Sequence, residues 1–190
     1  MSLTDAQIER YSRQIIVPRL GGRGQERILA ARIVIAGEAR DIEAPLAYLV
    51  GAGVGTIAVK AAGIVEQIAE MRELNPDVTV TNQSKADVDL ALLMVSSEAA
   101  RKTAEVVAND RYALTLVIAR LDAPGKIEII PDARDAQTVA TTFGTRADAA
   151  DFIAMLATAE AFKLVAGYAE NPSRVIIEFD GYKTKSRILA

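Results

Sequence analysis

A chain of 190 residues with 51% hydrophobic and 25% charged side chains is long enough to bury one substantial core and too apolar to be disordered. Its formal charge of -3 offers no basic excess for nucleic acid or an anionic membrane, so neither is expected as a partner. It holds no Cys and no His, which excludes disulfides, thiolate zinc sites, thioester chemistry, a Cys nucleophile and imidazole as ligand or base.

Thr4 to Tyr11 reads as a helix capped by Thr4 or Asp5, with Ile8 facing inward. Ser2 to Arg13 is polar, unlike a secretory leader, and a soluble, cytoplasmic protein is expected. Pro18 and Gly21-Gly22-Arg23-Gly24 predict a break in the chain, a turn using positive φ in preference to an anion-binding nest. A short helix from Gln25 to Ala31 follows.

Ile33 to Gly37 has the unbroken apolar character of a parallel strand buried on both faces. A helix over Asp41 to Ala52 ends at Gly51, Gly53 and Gly55, and Thr56 to Val59 makes a second strand. The next helix, Ile64 to Leu74, stops at Asn75-Pro76, because proline cannot continue it and disfavours helix in the residue before. Val78 to Val80 and Leu90 to Val95 are a third and a fourth strand, the fourth central by its apolar run. Ser96-Ser97 caps a helix to Asn109, and Leu114 to Ile118 is a fifth strand. This alternation predicts an α/β fold with a doubly wound, mostly parallel, Rossmann-like sheet.

Lys126 to Ile130, after Pro124-Gly125, reads as an antiparallel addition, and the polar stretch Asp132 to Arg146 as loop. A long Ala-rich helix covers Ala147 to Tyr168. Its stretch from Phe152 carries only Glu160 and Lys163, which predicts burial nearly all round, at the core centre or in a subunit interface. Arg174 to Phe179, a turn at Asp180-Gly181 and Lys183 to Leu189 complete a hairpin. One domain is expected over 1–190: a helical arm (1–31), a Rossmann-like core (32–120), then antiparallel strands and the long helix (121–190).

The turn after the first strand carries the sharpest signal. Nucleotide-binding α/β proteins place glycines there so that backbone N–H groups can approach phosphate. Here the turn reads Gly37-Glu38-Ala39-Arg40-Asp41-Ile42-Glu43, with one glycine and three carboxylates. Those carboxylates fit a helix N-terminus electrostatically, a reading preferred to a divalent-cation site, so no metal is expected. Ser96 and Ser97 have no His or adjacent Lys to activate them and read as caps rather than nucleophiles. Asp132, Arg134 and Asp135 read as solvated loop charges.

Arg10-Tyr11-Ser12-Arg13-Gln14-Ile15-Ile16-Val17-Pro18, followed by Gly21-Gly22-Arg23-Gly24-Gln25-Glu26, resembles the MoeB/ThiF/HesA family, bacterial relatives of ubiquitin-activating enzymes. The likeness continues through Tyr48 to Gly55, Glu73 to Val78 and Glu160 to Gly167. It implies a ThiF/MoeB-like fold and, in full members, Mg-ATP-dependent adenylation of the C-terminal glycine of a ubiquitin-like or sulfur-carrier protein.

Piece by piece, the resemblance also implies loss. The family's glycine loop falls on Gly37 to Ile42, where only Gly37 matches, as a non-functional remnant. Its ribose-binding acid falls near Lys60. Its Asn-Leu-x-Arg-Gln segment is missing where Lys60-Ala61-Ala62-Gly63 leads into the next helix. Its phosphate-binding Lys is Gly63, its metal-binding Asp falls within Met94 to Ser97, and its zinc and thioester cysteines are absent.

What remains is Arg13, matching the family's Arg that reaches ATP in the neighbouring subunit. ATP binding is therefore expected to be lost, with no cofactor. The favoured function is a non-catalytic dimerising or regulatory subunit in carrier activation, a homodimer or a heterodimer with an active relative, donating Arg13 in trans. Two alternatives stay open: a residual adenylyltransferase of a ubiquitin-like carrier, and a small-molecule-binding module using the emptied crevice. For Arg13 itself, the alternative is a stem packed on the surface and paired with a carboxylate.

Overall fold

The computed structural model describes residues 2–61, 65–83, 88–109, 113–122, 125–131, 147–168, 174–180 and 183–189. The arm forms α1 (Asp5–Arg10), α2 (Ser12–Ile15) and α3 (Gly21–Ala30). Then come β1 (Arg32–Ala36), α4 (Ala39–Ala52), β2 (Thr56–Lys60), α5 (Val65–Leu74), β3 (Thr79–Thr81), β4 (Val88–Val95), α6 (Glu98–Asn109) and β5 (Ala113–Arg120). The chain closes with β6 (Gly125–Ile130), α7 (Ala150–Val165), β7 (Arg174–Asp180) and β8 (Lys183–Leu189).

All eight strands join one sheet in the order β3-β2-β1-β4-β5-β6-β7-β8. Pairing from β3 through β5 is parallel, and β6, β7 and β8 add on antiparallel, as expected. Side chains alternate across β1: Ile33 and Ile35 join the core beneath α4 and α7, while Val34 and Ala36 join the opposite core with Ala104 and Val107 of α6. This two-sided burial is why the parallel strands read as apolar runs. No helix among the described residues is long and apolar enough to cross a membrane.

Three local expectations are corrected. Ile8 does not face inward; it is 47% exposed, and the arm enters the core through Tyr11, Leu20 and Ile28 instead. Thr4 does cap α1, in a reciprocal capping box with Gln7. Gly21-Gly22-Arg23-Gly24 forms the first turn of α3 rather than a break: only Gly21 has positive φ, and Gly24 is buried against Leu20. Tertiary packing overrides the weak helix propensity of glycine there.

The third correction concerns α7. Ile153, Ala154, Ala157, Thr158 and Ala161 are buried against the sheet and α4, whereas Phe152 is 55% exposed. The helix is buried along one stripe. Its alanines at 150, 154, 157 and 161 make up most of that stripe, and the larger apolar residues Phe152, Met155 and Leu156 stay exposed or half-buried. The loop expectation for 132–146 lies outside the described residues, as do Gly63 and Gly181.

Candidate functional site

In a doubly wound sheet the crevice lies beyond the C-terminal ends of the parallel strands. Here that edge carries Gly37 after β1, Lys60 at the end of β2, Ser96 after β4 and Asp122 after β5. Gly37 is buried with its N–H donating to the Lys60 carbonyl at 3.3 Å. A Cβ on Gly37 would stand 2.9 Å from both the Cβ and the carbonyl oxygen of Met94, so close strand packing alone requires glycine. Lys60 turns away to donate its Nζ proton to the Asn82 carbonyl at 3.2 Å.

The three carboxylates of the β1–α4 turn go to three places. Glu38 pairs with Arg40 at 2.9 Å on the surface. Glu43 is exposed on the outer face of α4. Asp41 is buried, 2% exposed, and accepts a short hydrogen bond from the Ser96 hydroxyl. That contact joins the first turn of α4 to the end of β4 across the crevice. Ser97, the neighbour, accepts from the Ala100 N–H at 3.2 Å and is the cap of α6 that its sequence implies.

Sequence reasoning missed Asp122. It is 3% exposed and held by the Arg120 guanidinium, with Nε at 3.1 Å and Nη2 at 2.5 Å. Its signal was an Arg-x-Asp at the end of a strand, which local patterning does not mark. Beside this edge a groove of about 400 Å³ is lined by Arg40, Asp41, Glu43, Met71, Asp151 and Met155. No group of three or more potential metal ligands converges among the described residues.

The opposite, N-terminal edge of the parallel strands gathers most of the recognisable motifs. Tyr11 is buried, donates its hydroxyl proton to Asp77 at 3.0 Å and accepts from Asn75 Nδ2 at 3.0 Å. Asn75 also donates to the Val50 carbonyl at 2.8 Å, tying the end of α5 to the end of α4. Asp77 further accepts from Gln7 at 3.3 Å and pairs with Arg10. Gly53, at φ +88°, makes this possible: a Cβ there would lie 2.6 Å from the Tyr11 ring. Gln25 of α3 is buried too, donating to the Ala52 carbonyl at 3.1 Å.

Electrostatics follow from this packing. Burial pushes the Tyr11 phenol above its ordinary pKa, with Asp77 adding to the rise. Burial alone would raise Asp77, but hydrogen bonds from Tyr11, Arg10 and Gln7 and the Arg10 charge outweigh it and hold the carboxyl low. Between β6 and β7, Glu128 is likewise held low, where hydrogen bonds from Arg174 and Lys126 overcome the burial penalty.

Arg13, by contrast, lies on α2, exposed, with no hydrogen bond or ion pair to another side chain among the described residues. The paired-carboxylate alternative for it has no support in this geometry. The structure does not bring Arg13 and Gly37 into one site.

No family model matches the chain. Curated relatives do. The chain is 38% identical over 86 residues to the probable adenylyltransferase/sulfurtransferase MoeZ of Mycobacterium tuberculosis, covering 45% of this chain and 22% of MoeZ. It is 30% identical over 136 residues to the adenylyltransferase and sulfurtransferase MOCS3 of Bos taurus, covering 70% of this chain and 28% of MOCS3. The chain thus spans under a third of these relatives. Among solved structures it matches PaaA (TM-score 0.65, 15% identity, 98% of this chain and 75% of PaaA). It also matches E. coli MccB solved with ATP (TM-score 0.65, 14% identity, 94% of this chain and 71% of MccB). At such identities these two speak for the fold alone.

Proposed function

The chain is a relative of the MoeB/ThiF/HesA family, and on that premise we propose that it is a catalytically degenerate member serving as a dimerising or regulatory subunit in carrier activation. The observation that carries this reading is the Asp41–Ser96 contact. A buried carboxylate stands where the family resemblance calls for glycine N–H groups facing phosphate. The serine bound to it lies within Met94 to Ser97, the stretch where that resemblance calls for a cation-holding carboxylate and none stands.

These residues do not fit Mg-ATP. A carboxyl at the head of α4, engaged with Ser96, presents oxygen acceptors where phosphate needs N–H donors. Lys60 at the end of β2 has no carboxylate to offer a ribose. Meanwhile the motifs that carry the resemblance at the opposite edge hold the fold together through Tyr11, Gly53, Asn75 and Asp77, so they persist without any nucleotide chemistry. Arg13, exposed and unpaired among the described residues, is the group available to a neighbour, in trans, against developing phosphate charge. The neighbour is a second copy or an active relative acting on a sulfur-carrier or ubiquitin-like protein.

The test combines two measurements. Isothermal titration of the purified chain with Mg-ATP should give no heat of binding, and no labelled pyrophosphate should exchange into ATP. Reconstituted with an active relative, the chain should raise that partner's ATP turnover, and Arg13→Ala should remove the gain without changing thermal stability. Exchange by the chain alone would establish a residual adenylyltransferase and overturn the proposal. A second reading, a small-molecule module, draws on the groove beside Asp41, where one arginine, three carboxylates and two methionines suit a polar, cationic ligand. Ligand-dependent thermal shifts lost in Glu43→Gln would favour it.

A further inference from the structure

A larger concavity, about 1000 Å³, lies away from the crevice, between the α2–α3 segment and the residues that follow α7. Arg19, Arg23 and Arg27 line it, and no acidic residue among the described ones does. All three are exposed, and none pairs with a carboxylate among the described residues. In a chain of net charge -3, this is a local reversal of sign.

The arginines are placed, not loose. Arg19 has φ +71°, the one left-handed residue other than glycine among those described, a conformation in which a Cβ crowds the following carbonyl oxygen. Its guanidinium donates to the Tyr168 carbonyl at 3.4 Å and sits 5.8 Å from the centre of the Tyr168 ring. The Tyr168 hydroxyl in turn donates to the Pro18 carbonyl at 3.4 Å. Arg27 lies in space left by Gly167, at φ +80°, where a Cβ would come within 1.9 Å of Arg27 Nη1.

Shape and spacing select the ligand. Arg23 and Arg27 stand one turn apart on α3, a rise of about 6 Å. Carboxylates at alternate positions of an extended chain are separated by roughly 6.6 Å. Ile16, 79% exposed, and Val17, 42% exposed, form an apolar ledge in the same groove. A row of cations beside an apolar ledge suits a peptide, whereas a small anion calls for donors converging on one point.

We propose that this groove docks an extended acidic segment of a partner protein, with carboxylates at alternate residues facing the arginines and an apolar side chain on Ile16 and Val17. The site stands independently of the crevice and of Arg13.

The test is fluorescence anisotropy of the full chain with a labelled peptide of roughly nine residues, Glu at alternate positions and Leu at one end. Binding is expected to weaken with added salt and to fall about tenfold or more in Arg23→Glu. Arg23 touches no acidic partner among the described residues, so that variant should keep the parent's thermal midpoint; Arg23→Ala, with a smaller loss, checks the result without charge reversal. Arg13→Ala should leave binding unchanged, which separates this site from the in-trans role above. Equal binding of a peptide with Lys in place of Glu, or unaltered binding to Arg23→Glu, would overturn the proposal. So would displacement of the peptide by pyrophosphate at concentrations below the peptide's own, which would assign the groove to small anions.

Discussion

Tyr11 and Asn75 meet in the interior, the carboxamide Nδ2 donating to the phenol oxygen at 3.0 Å, under the left-handed turn at Gly53. One contact therefore joins three sequence blocks that lie far apart along the chain: the arm, the end of α4 and the end of α5.

Tyr11→Phe is expected to lower unfolding stability by about 1–2 kcal/mol, since it removes hydrogen bonds to Asn75 and Asp77 while both keep other partners. Gly53→Ala is expected to cost more, because it combines a strained positive φ with a Cβ driven into the ring. Urea titrations with unchanged m-values check both. A Gly53→Ala variant as stable as the parent would show that the arm is not seated on this turn.

The same cluster predicts how stability follows pH. The folded-state pKa of Asp77 is depressed, so its stabilisation is present above the unfolded value and is lost as pH falls below about 4. For Tyr11 the folded pKa is raised, so its stabilisation holds below the unfolded value and is lost as pH rises beyond about 10. Asp77→Asn should flatten the acid limb of the stability profile while lowering the plateau at neutral pH. Thermal midpoints of the two proteins across the range would check it.

Gly37 separates a packing role from a phosphate-binding one. Gly37→Ala should destabilise the chain by about 1–3 kcal/mol, because its Cβ meets the Met94 backbone oxygen at 2.9 Å. Chemical denaturation with and without Mg-ATP should show that loss undiminished by nucleotide. A protective effect of nucleotide on the parent alone would mark Gly37 as a working part of a binding loop.

The parallel half of the sheet was legible because strands buried on both faces need apolar residues at every position, as Leu90 to Val95 shows. The arm was not. α1 buries none of its own residues, so its periodicity carried no information, and Tyr11 is buried by partners more than 40 positions away. Likewise Gly24 stays helical because of what Leu20 and Ala166 place against it. In the candidate site, the oddity of the β1–α4 turn was visible as composition, but the pairing of Asp41 with Ser96, 55 positions apart, exists only in three dimensions. The three arginines of the second groove were hidden for the same reason, since Tyr168 and Gly167 complete their setting from far along the chain.

The Asp41–Ser96 contact gives the most direct challenge to the degenerate reading. Ser96→Asp would return a carboxylate to the end of β4, as the family resemblance asks, yet it would press that carboxylate against buried Asp41. Two like charges this close in the interior repel each other, so the variant should lose about 3 kcal/mol or more at neutral pH. One carboxyl of the pair would then bind its proton more tightly in the folded state than in the unfolded one. Folding would take up a proton, and stability would recover as pH falls. Adding Asp41→Asn should restore most of the loss at neutral pH, because the amide can donate to the new carboxylate. If Ser96→Asp instead matched the parent at neutral pH and gained stability with Mg²⁺, the crevice would already accommodate a cation, and a residual enzyme would replace the subunit reading.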